Sequence, residues 1–190
     1  MSNQPLTTIS FVVLGLVAHG AATPYDLKRR VANSVGYFWT FPHSQLYAEP
    51  ARLTELGLLA EEREQEGRRR RTYSITDAGR EALADWLRQP LVEQPQMRDT
   101  GLLKLFFGAL LDRGEIVALA REQERAHLER LAVYEEIDRS IPDDESLVFP
   151  RATLRMGLLC ERAFVEFWSG IADDPPAVAD QPRSNMRSRS

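Results

Sequence analysis

Two stretches combine residue types and spacing that bear on chemistry: Ser44-Gln45-Leu46-Tyr47-Ala48, continuing to Arg52, and the run Arg68-Arg69-Arg70-Arg71. Ser, Gln and Arg side chains can hydrogen-bond to base edges or phosphates, and small residues such as Ala48 and Ala51 let a helix approach a base or touch a thymine methyl. Four adjacent arginines can neutralise backbone phosphates. Taken singly, the first stretch also reads as a plain solvated helix face and the second as a solvated turn; together they favour contact with DNA. Nothing comparable supports catalysis. His19, His43, His127 and Cys160 fall on different elements, and none stands at a metal spacing such as H-E-x-x-H or C-x-x-C. No G-x-S-x-G, Walker loop or G-x-G-x-x-G occurs. We therefore expect no catalytic residue, no metal, no cofactor and no enzyme. His127 reads as a satisfied core or interface histidine, and Cys160 as a small inert hydrophobe.

The chain has 190 residues, 43% apolar and 27% charged, with a net charge of −4. That is the composition of an ordinary soluble globular protein large enough to bury a core without disulfide or metal. One cysteine cannot form an intrachain disulfide, which suits a reducing, cytoplasmic home. The apolar run Ile9 to Ala18 is well short of the roughly 20 residues of a spanning helix, and Ser2 to Thr8 carries no Lys or Arg, so neither membrane insertion nor export is expected. Charge is unevenly spread. Residues 1 to 75 hold 9 Lys+Arg against 7 Asp+Glu, and residues 76 to 190 hold 15 against 21. A mildly basic segment followed by an acidic one suits a division of labour.

The elements that must position these residues follow from periodicity. Ile9, Val12, Val13, Leu16 and Val17 predict a short buried helix over 8–19, stopped by Gly20. Thr23-Pro24-Tyr25-Asp26 is a helix start on the capping-box spacing, and this second helix is expected to turn Leu27 and Val31 inward, Lys28, Arg29 and Arg30 outward, and to end near Gly36. A third helix over 42–56 has the inner stripe Leu46, Pro50, Leu53 and Leu56, with Gly57 and Leu58 set for a Schellman stop. Pro50 on that stripe predicts a bend or a later helix start. Strands over 58–63 and 71–76 form a hairpin with an arginine-loaded tip. Thr76 caps a fourth helix, 77–89, expected to bury Leu83, Trp86 and Leu87. Residues 90–98 read as a linker. Beyond it, an apolar helix over 99–111 looks covered on most sides, a charged helix over 115–139 has the inner stripe Ile116, Ala120, Gln123, His127, Leu131 and Tyr134, and a last helix runs over 150–172. The tail over 174–190 reads as disordered.

Ile9 to Gly15, Thr23-Pro24-Tyr25-Asp26-Leu27, Ser44-Gln45-Leu46-Tyr47, Arg52-Leu53, Leu56-Gly57-Leu58-Leu59 and Tyr73-Ser74-Ile75-Thr76-Asp77-Ala78-Gly79-Arg80 together resemble the PadR-like transcriptional regulators. The resemblance is close over residues 5–85 and continues by helix pattern to about 172. It implies a mainly α fold with one small β-hairpin: a winged helix-turn-helix DNA-binding domain over 1–89 and a helical dimerisation domain over 99–173. It further implies a homodimeric repressor on a palindromic operator, often released by a small aromatic or drug-like effector. By position, Ser44, Gln45 and Tyr47 would face DNA and Arg68 to Arg71 would form the wing. Pro50 departs from the aliphatic residue of many relatives, and the C-terminal domain is longer than in the shortest ones.

Trp39, Trp86, Phe106, Phe107 and Trp168 are the aromatic residues that would line an apolar effector pocket, the plainer reading being that they are core. The competing function is a helical protein–protein adaptor without DNA binding, docking through the charged helix 115–139.

Overall fold

A computed structural model describes residues 5–40, 42–64, 70–90 and 96–176. The chain forms two compact units, Met1–Gln94 and Pro95–Ser190.

In the first unit, helices α1 (Thr8–Ala18), α2 (Pro24–Ala32) and α3 (His43–Glu55) precede the antiparallel strands β1 (Leu59–Arg63) and β2 (Arg71–Ile75) and helix α4 (Asp77–Arg88). Val13, Leu14, Leu27, Leu46 and Leu53 have no exposed surface and form the centre of the core, with Leu59 and Tyr73 from the hairpin closing one side. The hairpin register pairs Leu59 with Ile75, Glu61 with Tyr73 and Arg63 with Arg71. Ala22 forms an isolated antiparallel bridge to Tyr73, exchanging both backbone hydrogen bonds at 3.0 and 2.9 Å. The connection before α2 is thereby fixed to the middle of β2.

The stop of α3 is the expected one. Gly57 takes φ +73°, and the amides of Gly57 and Leu58 donate to the carbonyls of Thr54 and Leu53, the double bond of a Schellman motif. The chain then turns directly into β1. At the same end of the hairpin, where β2 stops, Thr76 accepts from the Gly79 amide, and Gly79 is needed because a Cβ there would stand 2.1 Å from the Leu58 carbonyl oxygen.

Several expectations are corrected. α2 stops at Ala32, and a 3₁₀ turn over Val35–Tyr37 carries the chain past Gly36. Arg30 does not point outward: its Nη1 donates to the carbonyls of Leu16 and Gly20 at 2.7 and 2.8 Å, neutralising the C-terminal end of α1. The later helix start expected at Pro50 is not seen: α3 begins at His43 and runs through Pro50, whose ring is buried. Of the three residues expected inside α4, Leu83 is half-buried while Trp86 and Leu87 remain exposed.

The second unit contains α5 (Thr100–Phe106), a 3₁₀ turn (Gly108–Leu110), α6 (Arg113–Ser140), a 3₁₀ turn (Glu145–Leu147) and α7 (Val148–Asp173). Asp112 and Glu115 start α6 with a reciprocal capping box, each carboxylate accepting from the other's backbone amide. α6 and α7 form an antiparallel pair: Arg121 meets Asp173, His127 meets Glu161 and Glu135 meets Arg162. The expected stripe of α6 is the face turned inward, from Ile116 to Tyr134. Trp168 is wholly buried, with Ala120, Ala172, Phe164 and the α5 residues Leu102 and Leu105 around it.

The apolar segment after the linker is shorter and barer than its composition suggests. Helix α5 ends at Phe106, and Leu103, Phe106, Phe107 and Leu110 are exposed, Phe106 by 81% and Leu110 by 88%. The linker expected over 90–98 and the tail expected over 174–190 fall largely on 91–95 and 177–190, which lie outside the described residues.

Candidate nucleic-acid interface

Helix α3 presents two chemically different faces. Leu46, Glu49, Pro50 and Leu53 are buried, whereas Ser44, Gln45, Tyr47 and Ala48 are exposed. The division follows from the helical period: residues three and four apart share a face, so packing Leu46 and Leu53 into the core forces the intervening polar residues outward. Tyr47 keeps 47% of its surface open.

An open groove of about 700 Å3 runs beside this face, lined by Thr23, Pro24, Tyr25, Asp26, Tyr47, Arg70 and Arg71. It brings together three sequence-distant pieces: the start of α2, the exposed face of α3 and the base of the arginine run. Arg70 and Arg71 are exposed, and Arg71 lies 3.8 Å from Glu61. Arg68 and Arg69 lie outside the described residues. The groove therefore combines two tyrosine hydroxyls and two guanidinium groups, which suit a phosphodiester backbone, with the Asp26 carboxylate at one edge.

Tyr25 was not among the residues singled out from the sequence, yet it is 70% exposed and lines the same groove. Its signal lies in Thr23-Pro24-Tyr25-Asp26, a motif whose spacing also reads as a helix cap. The cap itself is complete. Thr23 donates to the Asp26 carboxylate from Oγ1 at 2.7 Å and from its backbone amide at 3.0 Å. These hydrogen bonds, helped by the charges of Arg29 and Arg30 and opposed by slight desolvation, hold the Asp26 carboxyl below the usual range.

Arg52 stands apart from the other DNA-facing candidates. Its Nε and Nη2 donate to Glu49 Oε2 and Oε1 at 3.0 and 2.7 Å, and Nη2 also reaches Ser10 Oγ at 3.0 Å. The Glu49 carboxylate holds the Arg52 pKa above its ordinary value. A guanidinium engaged this way serves the interior of the domain. Glu49 itself went unnoticed in the sequence, where a glutamate in a helix reads as one more surface charge.

The five aromatic candidates for an effector pocket are distributed over both units. In the first, Trp39 lines a shallow recess of about 300 Å3 with Thr7, Ile9, Pro42 and Gln45, and Trp86 stacks on Phe11. In the second, Phe106 and Phe107 meet edge to face on the surface, whereas Trp168 is core. His127 is satisfied as expected: Nδ1 lies 2.6 Å from Glu161 Oε2 and the ring stacks on Phe164. Among the described residues no helix is long and apolar enough to cross a membrane, and no three His, Cys, Asp or Glu residues gather as a metal site.

Residues 13–85 match the model of the transcriptional regulator PadR-like family, and residues 97–169 match that of the virulence activator alpha C-terminal domain. Residues 13–85 are thus those of a PadR-like transcriptional regulator. It is 31% identical over 122 residues to the negative transcriptional regulator PadR of Bacillus subtilis, a match covering 62% of this chain and 66% of that protein. The match thus spans just under two thirds of that regulator's length. Bacillus subtilis PadR in complex with operator DNA superposes with a TM-score of 0.79 at 24% identity, covering 90% of this chain and 99% of that one. The same protein with p-coumaric acid gives 0.73, also at 24% identity, over 90% and 97%. The Vibrio cholerae virulence activator AphA gives 0.67 at 29% identity, over 87% and 96%. In this PadR-like fold the hairpin β1–β2 is the wing and α3 the second helix of the helix-turn-helix.

Proposed function

We propose that this PadR-like chain is a sequence-specific DNA-binding repressor that acts as a homodimer on a palindromic operator. The observation that carries the reading is the shared groove: the exposed face of α3, the start of α2 and Arg70 and Arg71 of the wing open on one side of the first unit. Ser44, Gln45, Tyr47 and Ala48 read bases in the major groove, and Arg68 to Arg71 track phosphate. Arg52 acts from behind, through Glu49, rather than on DNA. Residues 1–89 are the DNA-binding domain, 90–98 the linker and 99–173 the dimerisation domain.

Dimerisation has its own support in the second unit, where Phe106, Phe107 and Leu110 stand exposed. Such a patch on a regulator that reads a two-fold site is what a second copy covers. The Bacillus subtilis relative was crystallised with operator DNA and with p-coumaric acid, which supports DNA as the partner and a small aromatic acid as the class of effector that releases it. That relative is a negative regulator, which supports repression here.

The test is anisotropy of the purified protein on labelled duplexes spanning the region upstream of its own gene, with a scrambled competitor, followed by titration with hydroxycinnamic acids. Competitor-resistant binding reversed by one of these acids supports the whole reading. Binding that the scrambled duplex removes equally well refutes sequence specificity. A promoter–reporter assay gives the sign of control, and higher expression in the presence of the protein would refute repression.

A further inference from the structure

Glu49 is a carboxylate 8% exposed on the buried side of α3, between Leu46 and Leu53. A buried charge is tolerated only when it is paired and hydrogen-bonded. Here both oxygens are used: Oε2 accepts from Arg52 Nε, and Oε1 accepts from Arg52 Nη2 and, at 2.6 Å, from Ser10 Oγ. Ser10 is itself buried in α1, and its hydroxyl oxygen also accepts from the Thr7 amide at 2.8 Å and from Arg52 Nη2 at 3.0 Å. Glu49 and Arg52 of α3 are thus both joined to Ser10 of α1 by directional bonds, across 39 and 42 positions, the bond to Glu49 being the shorter.

The position is significant because the neighbouring turn is weak. Pro50 has no amide hydrogen, so the Leu46 carbonyl receives no helical bond from it. That turn carries Gln45, Tyr47 and Ala48 on its outer face. Apolar packing of Leu46 and Leu53 holds the helix against the core but resists small rotations poorly, whereas the bonds from Glu49 and Arg52 to Ser10 run between α3 and α1 and fix the angle at which the opposite face points.

We propose that Glu49, held by Ser10, is a positioning residue for DNA reading: it sets the rotation of α3 and so the discrimination between sequences, without touching DNA. This rests on α3 being the reading helix. Loss of the bond then lowers preference for the correct sequence while leaving phosphate-driven affinity alone.

The experiment compares the parent, Ser10→Ala and Glu49→Leu on a duplex that the parent selects from a random pool and on its scrambled counterpart, with thermal unfolding of each protein. The expected result is a fall in the selected-to-scrambled affinity ratio of about fivefold for Ser10→Ala and about tenfold or more for Glu49→Leu, with scrambled affinity unchanged. Ser10→Ala removes only a hydroxyl and decides the matter if Glu49→Leu does not fold. A folded variant with the parent's ratio, or one that loses affinity for both duplexes equally, overturns the proposal. A parent that selects no sequence overturns the functional reading itself, which separates the two failures.

Discussion

Phe11 and Trp86 lie face to face, their ring centroids 4.7 Å apart and their planes 5° from parallel, and so join α1 to α4. The contact explains how α4 stays seated although Leu87 is exposed and Leu83 only half-buried. It also gives Trp86 a structural role independent of any effector.

Replacing Trp86 with Leu keeps an apolar side chain and removes the stack. Such aromatic pairs contribute about 1 kcal/mol beyond the area they bury. Urea unfolding of Trp86→Leu should show a loss of that order, and an unchanged midpoint would mean that the stack adds nothing to the seating of α4.

Wing arginines act through charge alone in this account. Four phosphates per protomer, or eight per dimer, correspond to a slope of about −7 in log affinity against log salt. Replacing Arg68 to Arg71 with Ala should weaken all duplexes alike and flatten the slope. A slope that stays steep would remove these residues from the phosphate contact.

Much of the first unit was legible because its signals are local. Of the stripe Leu46, Pro50, Leu53 and Leu56, the first three are buried and Leu56 is exposed at the helix end, and the Gly57 stop and the Thr76 cap stand where local spacing puts them. The burial of Glu49 is hidden in the sequence because it depends on Ser10, which no helical or strand period connects to α3. Arg30 was misread for the same reason: its partners are carbonyls at the end of another helix. In the second unit, composition alone made the segment over 99–111 look covered, but a run apolar on all sides packs only one of them, and here Leu102 and Leu105 take that side. Tyr25 is masked in the sequence by its neighbours, whose types already account for the motif as a cap.

Acid should act on the start of α2. The Asp26 carboxyl is held below its ordinary value by Thr23, so the cap contributes fully above the unfolded-state value near 3.8 and its contribution is lost as pH falls through the lower folded value. Asp26→Asn should therefore show a shallower decline of stability in that acid range than the parent, measured by circular dichroism. Identical profiles would contradict the assignment. At neutral pH, Thr23→Ala should cost about 1 kcal/mol as a lost N-cap.

The exposed α5 patch gives a prediction about assembly. Placing a carboxylate in a contact that a second copy buries is costly because the charge has no partner there. Phe106→Glu combined with Leu110→Glu should shift the protein from dimer to monomer in light scattering while leaving its helical content intact. A dimer that survives both changes would place the interface elsewhere.

The central claim is that the exposed face of α3 reads sequence, and anisotropy titration of the parent, Gln45→Ala and Tyr47→Ala tests it most directly. Each protein would be titrated on the selected duplex and on its scrambled counterpart at two salt concentrations. The account predicts that the parent prefers the selected duplex and that each substitution removes about 1–3 kcal/mol of that preference while scrambled affinity and its salt dependence stay put. A parent without preference, or variants that lose affinity for both duplexes by the same factor, would contradict it.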